Sequence, residues 1–226
     1  MSLDRKAEIA ARLTEVNQRI SAAAANARRD PSDIKLIAVT KTFPITDLNY
    51  LFELGVRDFG ENRDQEAREK VALLPKEINW HFQGQIQSNK LKSITSWAKY
   101  IHSIDQFKYA KLVSDFADNQ VKSIFLQVSL DKIPESRGGV DPVKLLNLAN
   151  QISSLPNIKM LGLMAVAPLD EETDQAFSRL AEIHSEFIQE FPEAKFLSAG
   201  MSGDYEIAIK HGATHLRIGS SILGNR

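Results

Sequence analysis

The stretch LSAGMSGDYEIAIKHGATHLRIGSSILG, residues 197–224, contains the structural unit that recurs along the whole chain. Two short apolar runs are each followed by a turn rich in glycine and serine, and a segment with a helical pattern lies between them. Short apolar runs that alternate with helical patterns are typical of parallel strands joined by crossover helices. This stretch therefore predicts two parallel strands that end in polar turns.

The same alternation extends back towards the beginning of the chain. The predicted strands are Lys35–Thr40, Val56–Phe59, Asn79–Phe82, Tyr100–Ser103, Ser123–Val128, Lys159–Val166, Ala194–Leu197 and Thr214–Ile218. The predicted helices between them are Asp47–Leu54, Asp64–Leu73, Ser88–Trp97, Asp105–Phe116, Val143–Ile152, Asp174–Phe191 and Asp204–His211. An amphipathic helix from Leu3 to about Arg28 precedes the first strand, and Asp30-Pro31 ends it.

Strict strand-helix alternation requires parallel pairing with right-handed crossovers. Runs such as LIAVT (36–40) and LGLMAVA (161–167) are apolar on both faces, as expected of strands covered on both sides. Eight such units close most economically into an α/β fold of the (β/α)8 TIM barrel type, capped by the extra N-terminal helix. An open doubly wound sheet is the alternative. Because no linker or low-complexity tract interrupts the pattern, residues 1–226 are expected to form a single barrel domain.

Composition and charge exclude several classes of protein. Lys and Arg number 28 against 29 Asp and Glu, so a formal net charge of -1 provides no global attraction to nucleic acid or to an anionic membrane. The absence of cysteine excludes disulfides and thiolate metal sites, and the five histidines lack metal-ligand spacing, so no metal is expected. The N-terminus has no apolar signal-peptide core, and the longest apolar stretch is too short to cross a bilayer. We expect a soluble, cytoplasmic protein.

Two polar turns fall where the seventh and eighth strands end, at residues 198–202 and 219–221. In a (β/α)8 barrel the loops after these strands commonly hold phosphate. Glycine lets backbone N–H groups approach an anion closely, and serine hydroxyls add further donors. Ordinary turns between strands and helices have the same composition, so either turn on its own is weak support for a phosphate site.

Lys41 ends the first apolar strand, and we expect its side chain to project into the mouth of the barrel. Desolvation beside another cation favours the neutral amine, which forms a Schiff base with an aldehyde. A lysine that reaches an aldehyde whose phosphate is held by distant turns is the arrangement required by pyridoxal 5'-phosphate (PLP). The alternative is a lysine that points to solvent, which is the common state of this residue.

Arg217 lies in the run HLRIG just before the second turn, so we expect its apolar neighbours to bury it in part. A guanidinium has donors, no acceptor and a permanent charge, so opposite a pyridine nitrogen it favours the unprotonated ring. Such a ring is a weak electron sink, which disfavours aminotransferase chemistry, where a carboxylate partners that nitrogen. The alternative is a structural ion pair with Asp or Glu.

Two further polar clusters follow predicted strands: FGEN at 59–62 and WHFQGQIQSNK at 80–90. Asn62 is a candidate partner for a cofactor oxygen, and His81 and Gln83 are candidates for lining the barrel. Glu61 and Asn62 are equally suited to capping the next helix, and a histidine is more often a hydrogen-bonded core residue than a catalyst. The signatures of common hydrolases and nucleotide-binding proteins do not occur in the sequence.

Together these segments are similar to the pyridoxal phosphate homeostasis protein family, also called the YggS or proline synthase co-transcribed family. The similarity rests on six motifs in family order: AVTK (38–41), FGEN (59–62), WHFQGQIQSNK (80–90), GLMAVAP (162–168), LSAGMSGD (197–204) and RIGSSILG (217–224). The family resembles the barrel domain of bacterial alanine racemase, without the second, mostly β domain that gives the racemase its opposing tyrosine base. The resemblance therefore implies an alanine racemase N-terminal-domain-like barrel.

The resemblance also implies roles for the matching residues. Lys41 forms a covalent aldimine with PLP, Arg217 faces the pyridine nitrogen, and Asn62 lies near the ring. Four residues surround the phosphate, namely Ser198, Ser202, Gly219 and Ser220. No catalytic residue is implied.

This chain departs from the family pattern at three positions. Ile86 stands where relatives prefer leucine, and Ala199 stands where they have a larger apolar residue, so both are read as packing changes. Arg137 replaces a frequent lysine. Because arginine does not readily form an aldimine, a second covalent PLP site there is not expected.

The resemblance implies a non-catalytic protein that holds PLP on Lys41 and takes part in intracellular vitamin B6 homeostasis. Racemisation needs two bases on opposite faces of the Cα, and the sequence offers a good candidate for only one. The alternative is a PLP-dependent racemase or lyase with Tyr205 or His81 as the other base. A Schiff-base aldolase without a cofactor rests on the fold alone. The expected partners are PLP and recipient apoenzymes, but neither nucleic acid nor membrane, and a monomer is expected.

Overall fold

Eight parallel strands close into a barrel in the computed structural model, which describes residues 2–131 and 138–225. The strands are β1 (Lys35–Val39), β2 (Asp58–Glu61), β3 (Asn79–Phe82), β4 (Tyr100–Ile104), β5 (Lys122–Gln127), β6 (Ile158–Met164), β7 (Phe196–Ser198) and β8 (His215–Ile218). The last strand pairs in parallel with the first, with Lys35 opposite His215 and Ala38 opposite Ile218. This closing pair confirms the predicted (β/α)8 barrel and excludes the open sheet.

Helices join the strands and cover the outside of the barrel. In the described part of the chain they are α1 (Ser2–Asn26), α2 (Ile45–Glu53), α3 (Asp64–Leu73), α4 (Leu91–Trp97), α5 (Phe107–Phe116), α6 (Pro142–Ser153), α7 (Thr173–Glu190), α8 (Tyr205–Lys210) and α9 (Ser220–Leu223). Two short turns of 3-10 helix precede β1 and α4, at Pro31–Asp33 and Ser88–Lys90. Each helix among the described residues is too short or too polar to cross a membrane.

Helix α1 runs along the outside of the barrel rather than capping one of its ends. Its apolar face is buried, with Ile9, Leu13, Val16 and Ile20 each at most 6% exposed. Near the start of α1, Arg5 donates to the carbonyl of Leu223, and just beyond its end Arg29 donates to the carbonyl of Ala213, both at 2.8 Å. Since these two carbonyls flank β8, α1 follows the length of that strand, packed against α2, α8 and α9. The predicted capping position of this helix was wrong.

Strand β2 begins and ends two residues later than the sequence predicted. It pairs with β3 from Asp58 opposite Asn79 to Glu61 opposite Phe82. Charged side chains are seldom fully buried in a strand unless they are paired. Glu61 is nevertheless completely buried, since Lys70 from α3 pairs with it at 2.7 Å.

Strands β6 and β7 approach each other closely at Gly162. Its φ is +149°, and a Cβ built there would lie 1.8 Å from the carbonyl oxygen of Phe196. Only glycine fits this position, because any other residue would displace backbone rather than a flexible side chain. The approach lies at the start of β7, and the same pairing places Met164 at the end of β6 opposite Ser198, where one of the predicted phosphate turns begins.

Candidate functional site

A cavity of about 490 Å³ opens at the carboxyl ends of the strands. Six of the seven predicted site residues line it, and they are Lys41, Asn62, Ser202, Arg217, Gly219 and Ser220. Gln83, Met164 and Val166 add an amide and apolar surface to its walls. Residues from opposite ends of the sequence meet here because closing the barrel places β8 beside β1. The structure thus assembles at one mouth nearly all the groups that the motifs singled out.

The two glycine-serine turns meet at the hydroxyl of Ser202. The backbone N–H of Gly219 donates to Ser202 Oγ at 3.2 Å, and the N–H of Ser221 donates to the same atom at 3.3 Å. A Cβ at Gly219 would lie 3.1 Å from the carbonyl oxygen of Val39, so the turn also packs tightly on the end of β1. Two N–H groups that converge on one oxygen form the donor arrangement that an anion oxygen requires.

Arg217 is a buried cation at the floor of this cavity, with only 5% of its surface exposed. It donates to the carbonyl oxygen of Ser198 at 2.7 Å, to Ser198 Oγ at 2.8 Å and to the carbonyl oxygen of Ala165 at 2.9 Å. Among the described residues no carboxylate forms an ion pair with Arg217. The alternative of a structural ion pair is therefore not supported. Burial lowers the pKa of Arg217 to about 10, which leaves the guanidinium charged near neutral pH.

Ser198 does not reach the cavity, although the sequence assigned it to the phosphate turn. It is the last residue of β7, its side chain points into the barrel, and it is completely buried. Its hydroxyl lies between Arg217 Nη1 and His102 Nδ1, 2.8 Å from each. Because side chains alternate along a strand, the inward direction of Ser198 turns it away from the loop that begins at the next residue. Its observed contacts orient the guanidinium of Arg217.

Lys41 lies two residues beyond the end of β1, at the rim of the cavity. The sequence placed it in the strand and expected desolvation, but its side chain is exposed. Within residues 2–131 and 138–225, no hydrogen bond or ion pair engages Lys41 Nζ, so the amine is accessible from the mouth. The flanking residues Thr40 and Thr42 are held by side chains from β2 and α3.

Asn62 and Gln83 present unpaired polar atoms at this cavity. Asn62 Oδ1 and Gln83 Nε2 are buried and have no hydrogen-bond partner among the described residues. Leaving such an atom unpaired costs about 1–3 kcal/mol. A ligand that offers a donor to one and an acceptor to the other offsets that cost. The pair therefore suits a ring with polar substituents, such as the pyridine ring of PLP.

A chain of hydrogen bonds continues from Arg217 through the interior of the barrel. His102 Nε2 contacts His81 Nδ1 at 2.9 Å, and His81 Nε2 contacts Asp58 Oδ1 at 3.0 Å. Both histidines are completely buried. Burial lowers the pKa of both His81 and His102, so both rings are neutral near pH 7. These side chains support the floor of the cavity from below and do not line it.

Neither side chain considered as a second catalytic base lines the cavity. Tyr205 packs on the outside of the barrel, with the guanidinium of Arg19 from α1 at 5.4 Å from its ring centre. Burial raises the pKa of Tyr205, which disfavours the phenolate form that would act as a base near neutral pH. His81 lies below the floor, in the hydrogen-bond chain described above. Histidine, aspartate and glutamate side chains of the described residues form no group of three suited to a metal ion.

Some contributors to the site were not singled out from the sequence. Met164 and Val166 form apolar walls, and the predicted strand 159–166 contained both. Lys70 was missed altogether, although its spacing of four residues from Glu66 on a helix is a recognisable pairing signal. Arg137, where relatives often have lysine, lies outside the described residues.

Comparison with known proteins gives a consistent assignment. The model of the alanine racemase N-terminal domain family matches residues 12–226. The pyridoxal phosphate homeostasis protein of Mycobacterium tuberculosis is 38% identical over 245 residues, covering 99% of this chain and 95% of the relative. The protein of the same name from Corynebacterium glutamicum is 41% identical over 217 residues, covering 92% of this chain and 97% of the relative.

Solved structures show the same similarity. PipY of Synechococcus elongatus, in a structure with PLP bound, has a TM-score of 0.83 and 32% identity, covering 96% of this chain and 100% of that one. An alanine racemase of Clostridium difficile has a TM-score of 0.72 at 13% identity, covering 94% of this chain and 56% of that one. At that identity the racemase supports the fold alone.

Proposed function

The chain belongs to the family of alanine racemase N-terminal domains, and from that membership and the geometry of the barrel mouth we propose that it binds PLP without catalysis and serves PLP homeostasis. One observation carries the proposal. An accessible lysine near the front of the chain and a pair of glycine-serine turns near its rear line the same cavity. The name of its relatives and the PLP bound to PipY support this choice of ligand.

Each residue of the cavity has a distinct proposed task. Ser202, Gly219 and Ser220 surround the phosphate, with Ser202 Oγ held by the N–H groups of Gly219 and Ser221, while Ser198 orients Arg217 from below. Arg217 donates to the ring nitrogen and keeps it unprotonated. Asn62 bonds a polar substituent of the ring.

Lys41 carries the cofactor covalently in this proposal. The Lys41 amine adds to the aldehyde carbon of PLP, and loss of one water molecule leaves a C=N bond without any oxidant or reductant. In PLP enzymes the bound cofactor supplies an electron sink for substrate carbanions. Arg217 weakens that capacity here, because a permanently charged donor disfavours protonation of the ring nitrogen.

The non-catalytic part of the proposal rests on the lack of a second base at the cavity among residues 2–131 and 138–225. Racemisation needs one base on each face of the substrate Cα. Tyr205 and His81 were the candidates beside Lys41, and neither lines the cavity. We therefore favour reversible holding of PLP, with delivery to cytoplasmic PLP-dependent apoenzymes, over the alternative of an amino-acid racemase or lyase.

Titration with PLP tests the binding. We expect the wild type to develop the absorption band of a PLP Schiff base and Lys41→Ala to lose it. Lys76→Ala is the matched control, because Lys76 is an exposed lysine outside the cavity. A wild type that stays colourless, or a Lys41→Ala variant that binds as the wild type does, contradicts the proposal.

Exchange of the Cα proton for deuterium, with a panel of amino acids and PLP-loaded protein, tests the absence of catalysis. We expect no sustained exchange. Sustained exchange that disappears in Lys41→Ala establishes the racemase or lyase alternative instead.

A further inference from the structure

A buried cluster of charges lies beneath the turn that carries Lys41. Lys70 from α3 is 4% exposed, and Glu61 from β2 is completely buried. Lys70 Nζ donates to Glu61 Oε1 at 2.7 Å, to Glu66 Oε1 at 2.6 Å and to the carbonyl oxygen of Thr40 at 2.7 Å. Three acceptors use all three donors of the ammonium group. The Lys70 side chain is therefore held by these bonds and does not compete with Lys41 for an aldehyde.

The cluster holds the residues on both sides of Lys41. On one side, Thr40 Oγ1 donates to Glu61 Oε1 at 2.6 Å, while the Thr40 carbonyl accepts from Lys70. On the other side, the backbone N–H of Thr42 donates to Glu66 Oε1 at 2.5 Å. Two carboxylates joined by one ammonium group thus fix the chain immediately before and after the reactive lysine.

The turn that carries Lys41 needs such support. The N–H of Phe43 donates to the carbonyl of Thr40 at 3.1 Å, which closes a four-residue turn with Lys41 and Thr42 at its centre. Thr42 has a φ of +67°, in the left-handed region that favours glycine. A β-branched residue is costly there and persists only where its surroundings determine the backbone. The bond from Thr42 N–H to Glu66 supplies that constraint.

We infer that Glu61, Lys70 and Glu66 are positioning residues that hold the turn 40–43 so that Lys41 points at the cavity. The inference rests on the proposed function, since it assigns the cluster to the amine that carries PLP. A buried group of charges is a poor choice for stability alone, because apolar residues of similar volume are often as stable. Directional bonds to both neighbours of Lys41 give the cluster a positional role. Burial raises the pKa of Glu61, so keeping it ionised depends on Lys70.

The cluster also fixes the neighbouring wall of the cavity, because β2 pairs with β1. Glu61 ends β2, and the next residue, Asn62, presents its unpaired Oδ1 to the cavity. Holding Glu61 therefore sets the positions of both the Lys41 amine and the Asn62 amide, which bonds the ring in the proposed function. The phosphate turns belong to β7, β8 and α9 and make no contact with the cluster in the bonds described above. Glu66 bonds to Thr42 and Lys70, on the side of Lys41, so its loss should impair the covalent bond while leaving the contacts to the ring and the phosphate intact.

Two ligands separate these effects. PLP carries the aldehyde, whereas pyridoxine 5'-phosphate has the same ring and phosphate with an alcohol in its place and forms no Schiff base. For Glu66→Ala we expect calorimetry to give about tenfold weaker PLP binding, as loss of one charge-assisted bond implies. Binding of pyridoxine 5'-phosphate should change by less than about twofold. Glu66→Gln keeps an acceptor for Thr42 N–H and should restore most of the affinity for PLP.

The matched control is Glu69→Ala, which removes an exposed carboxylate from the same helix. It should leave both affinities unchanged. Lys70→Met tests the centre of the cluster and should act more strongly than Glu66→Ala. If Lys70→Met does not fold, Glu66→Ala alone tests the positioning role. The Glu66 side chain is 25% exposed, and its removal leaves Lys70 paired with Glu61.

The outcomes separate this inference from the proposed function. Equal weakening of both ligands in Glu66→Ala, or no change in either, overturns the positioning role while the proposed function stands. Failure of Glu66→Gln to restore PLP binding also overturns it. A wild type that binds pyridoxine 5'-phosphate but forms no Schiff base with PLP overturns both.

Discussion

His215 makes the stability of the barrel depend on pH in a calculable way. It is 5% exposed, and its ring lies between Phe125 and Phe196, at 5.1 and 5.3 Å from their centres. Burial lowers the pKa of His215 from 6.5 to about 3. Because the folded state has the lower pKa, the unfolded state binds the proton first. The stabilising contribution is therefore complete above about pH 6.5 and is lost as the pH falls towards 3.

The size of the effect follows from this difference. At pH 5 His215 in the unfolded chain is almost fully protonated and in the folded chain almost fully neutral. The ambient pH is then about 1.5 pH units below the unfolded pKa, and each pH unit corresponds to about 1.36 kcal/mol. Acidification from pH 7.5 to pH 5 should thus remove about 2 kcal/mol of unfolding free energy through His215 alone.

Urea unfolding at the two pH values, followed by the fluorescence of the buried Trp80, measures this contribution. The comparison is between the wild type and His215→Phe, which keeps an aromatic ring between Phe125 and Phe196. Thr214 Oγ1 loses its bond to His215 but retains its bonds to the N–H and carbonyl of Leu197. We expect the variant to lose about 2 kcal/mol less than the wild type on acidification. Equal losses in the two proteins would show that His215 does not cause this pH dependence.

Three further predictions concern the cavity and the strand beside it. Ser202→Ala should weaken the binding of PLP and of pyridoxine 5'-phosphate alike, by about tenfold in a calorimetric titration. An effect on PLP binding alone would contradict a role of Ser202 in binding the phosphate. Arg217→Glu should shift the absorption of bound PLP by protonating the ring nitrogen, and an unchanged spectrum would show that Arg217 does not face that nitrogen. Gly162→Ala should lower the unfolding free energy measured in urea by more than about 3 kcal/mol, because its Cβ would meet the Phe196 carbonyl oxygen at 1.8 Å. Gly203→Ala, whose Cβ has no neighbour within 4 Å, should be tolerated, and similar losses in both variants would contradict this account.

The strand order and closure of the barrel were predictable because the pattern of apolar runs repeats eight times. The first and last residues of individual strands were less predictable. β2 includes Glu61, and a buried carboxylate in a strand is recognisable only once its partner is known to be near. That partner, Lys70, lies on the following helix, so the pairing depends on how α3 packs against the barrel.

The meeting of Lys41 with the rear turns was predictable from the fold, since the carboxyl ends of all barrel strands share one face. The direction in which each side chain points was not predictable from the fold. Ser198 stands next to the polar turn in sequence, yet it points into the barrel towards His102 and Arg217. A shift of one residue reverses the face on which a strand side chain lies, and composition does not reveal it. The run of α1 along β8 likewise depends on contacts between distant segments, such as that of Arg29 with the Ala213 carbonyl.

Reduction with borohydride after incubation with PLP, followed by mass spectrometry of the peptides, identifies the lysine that binds the cofactor. Reduction converts the C=N bond into a stable C–N bond and marks the lysine that carried the cofactor. We expect one PLP-sized addition, on the peptide that contains Lys41, and none on the peptide that contains Lys70. An adduct on another lysine, or none at all, would contradict this expectation.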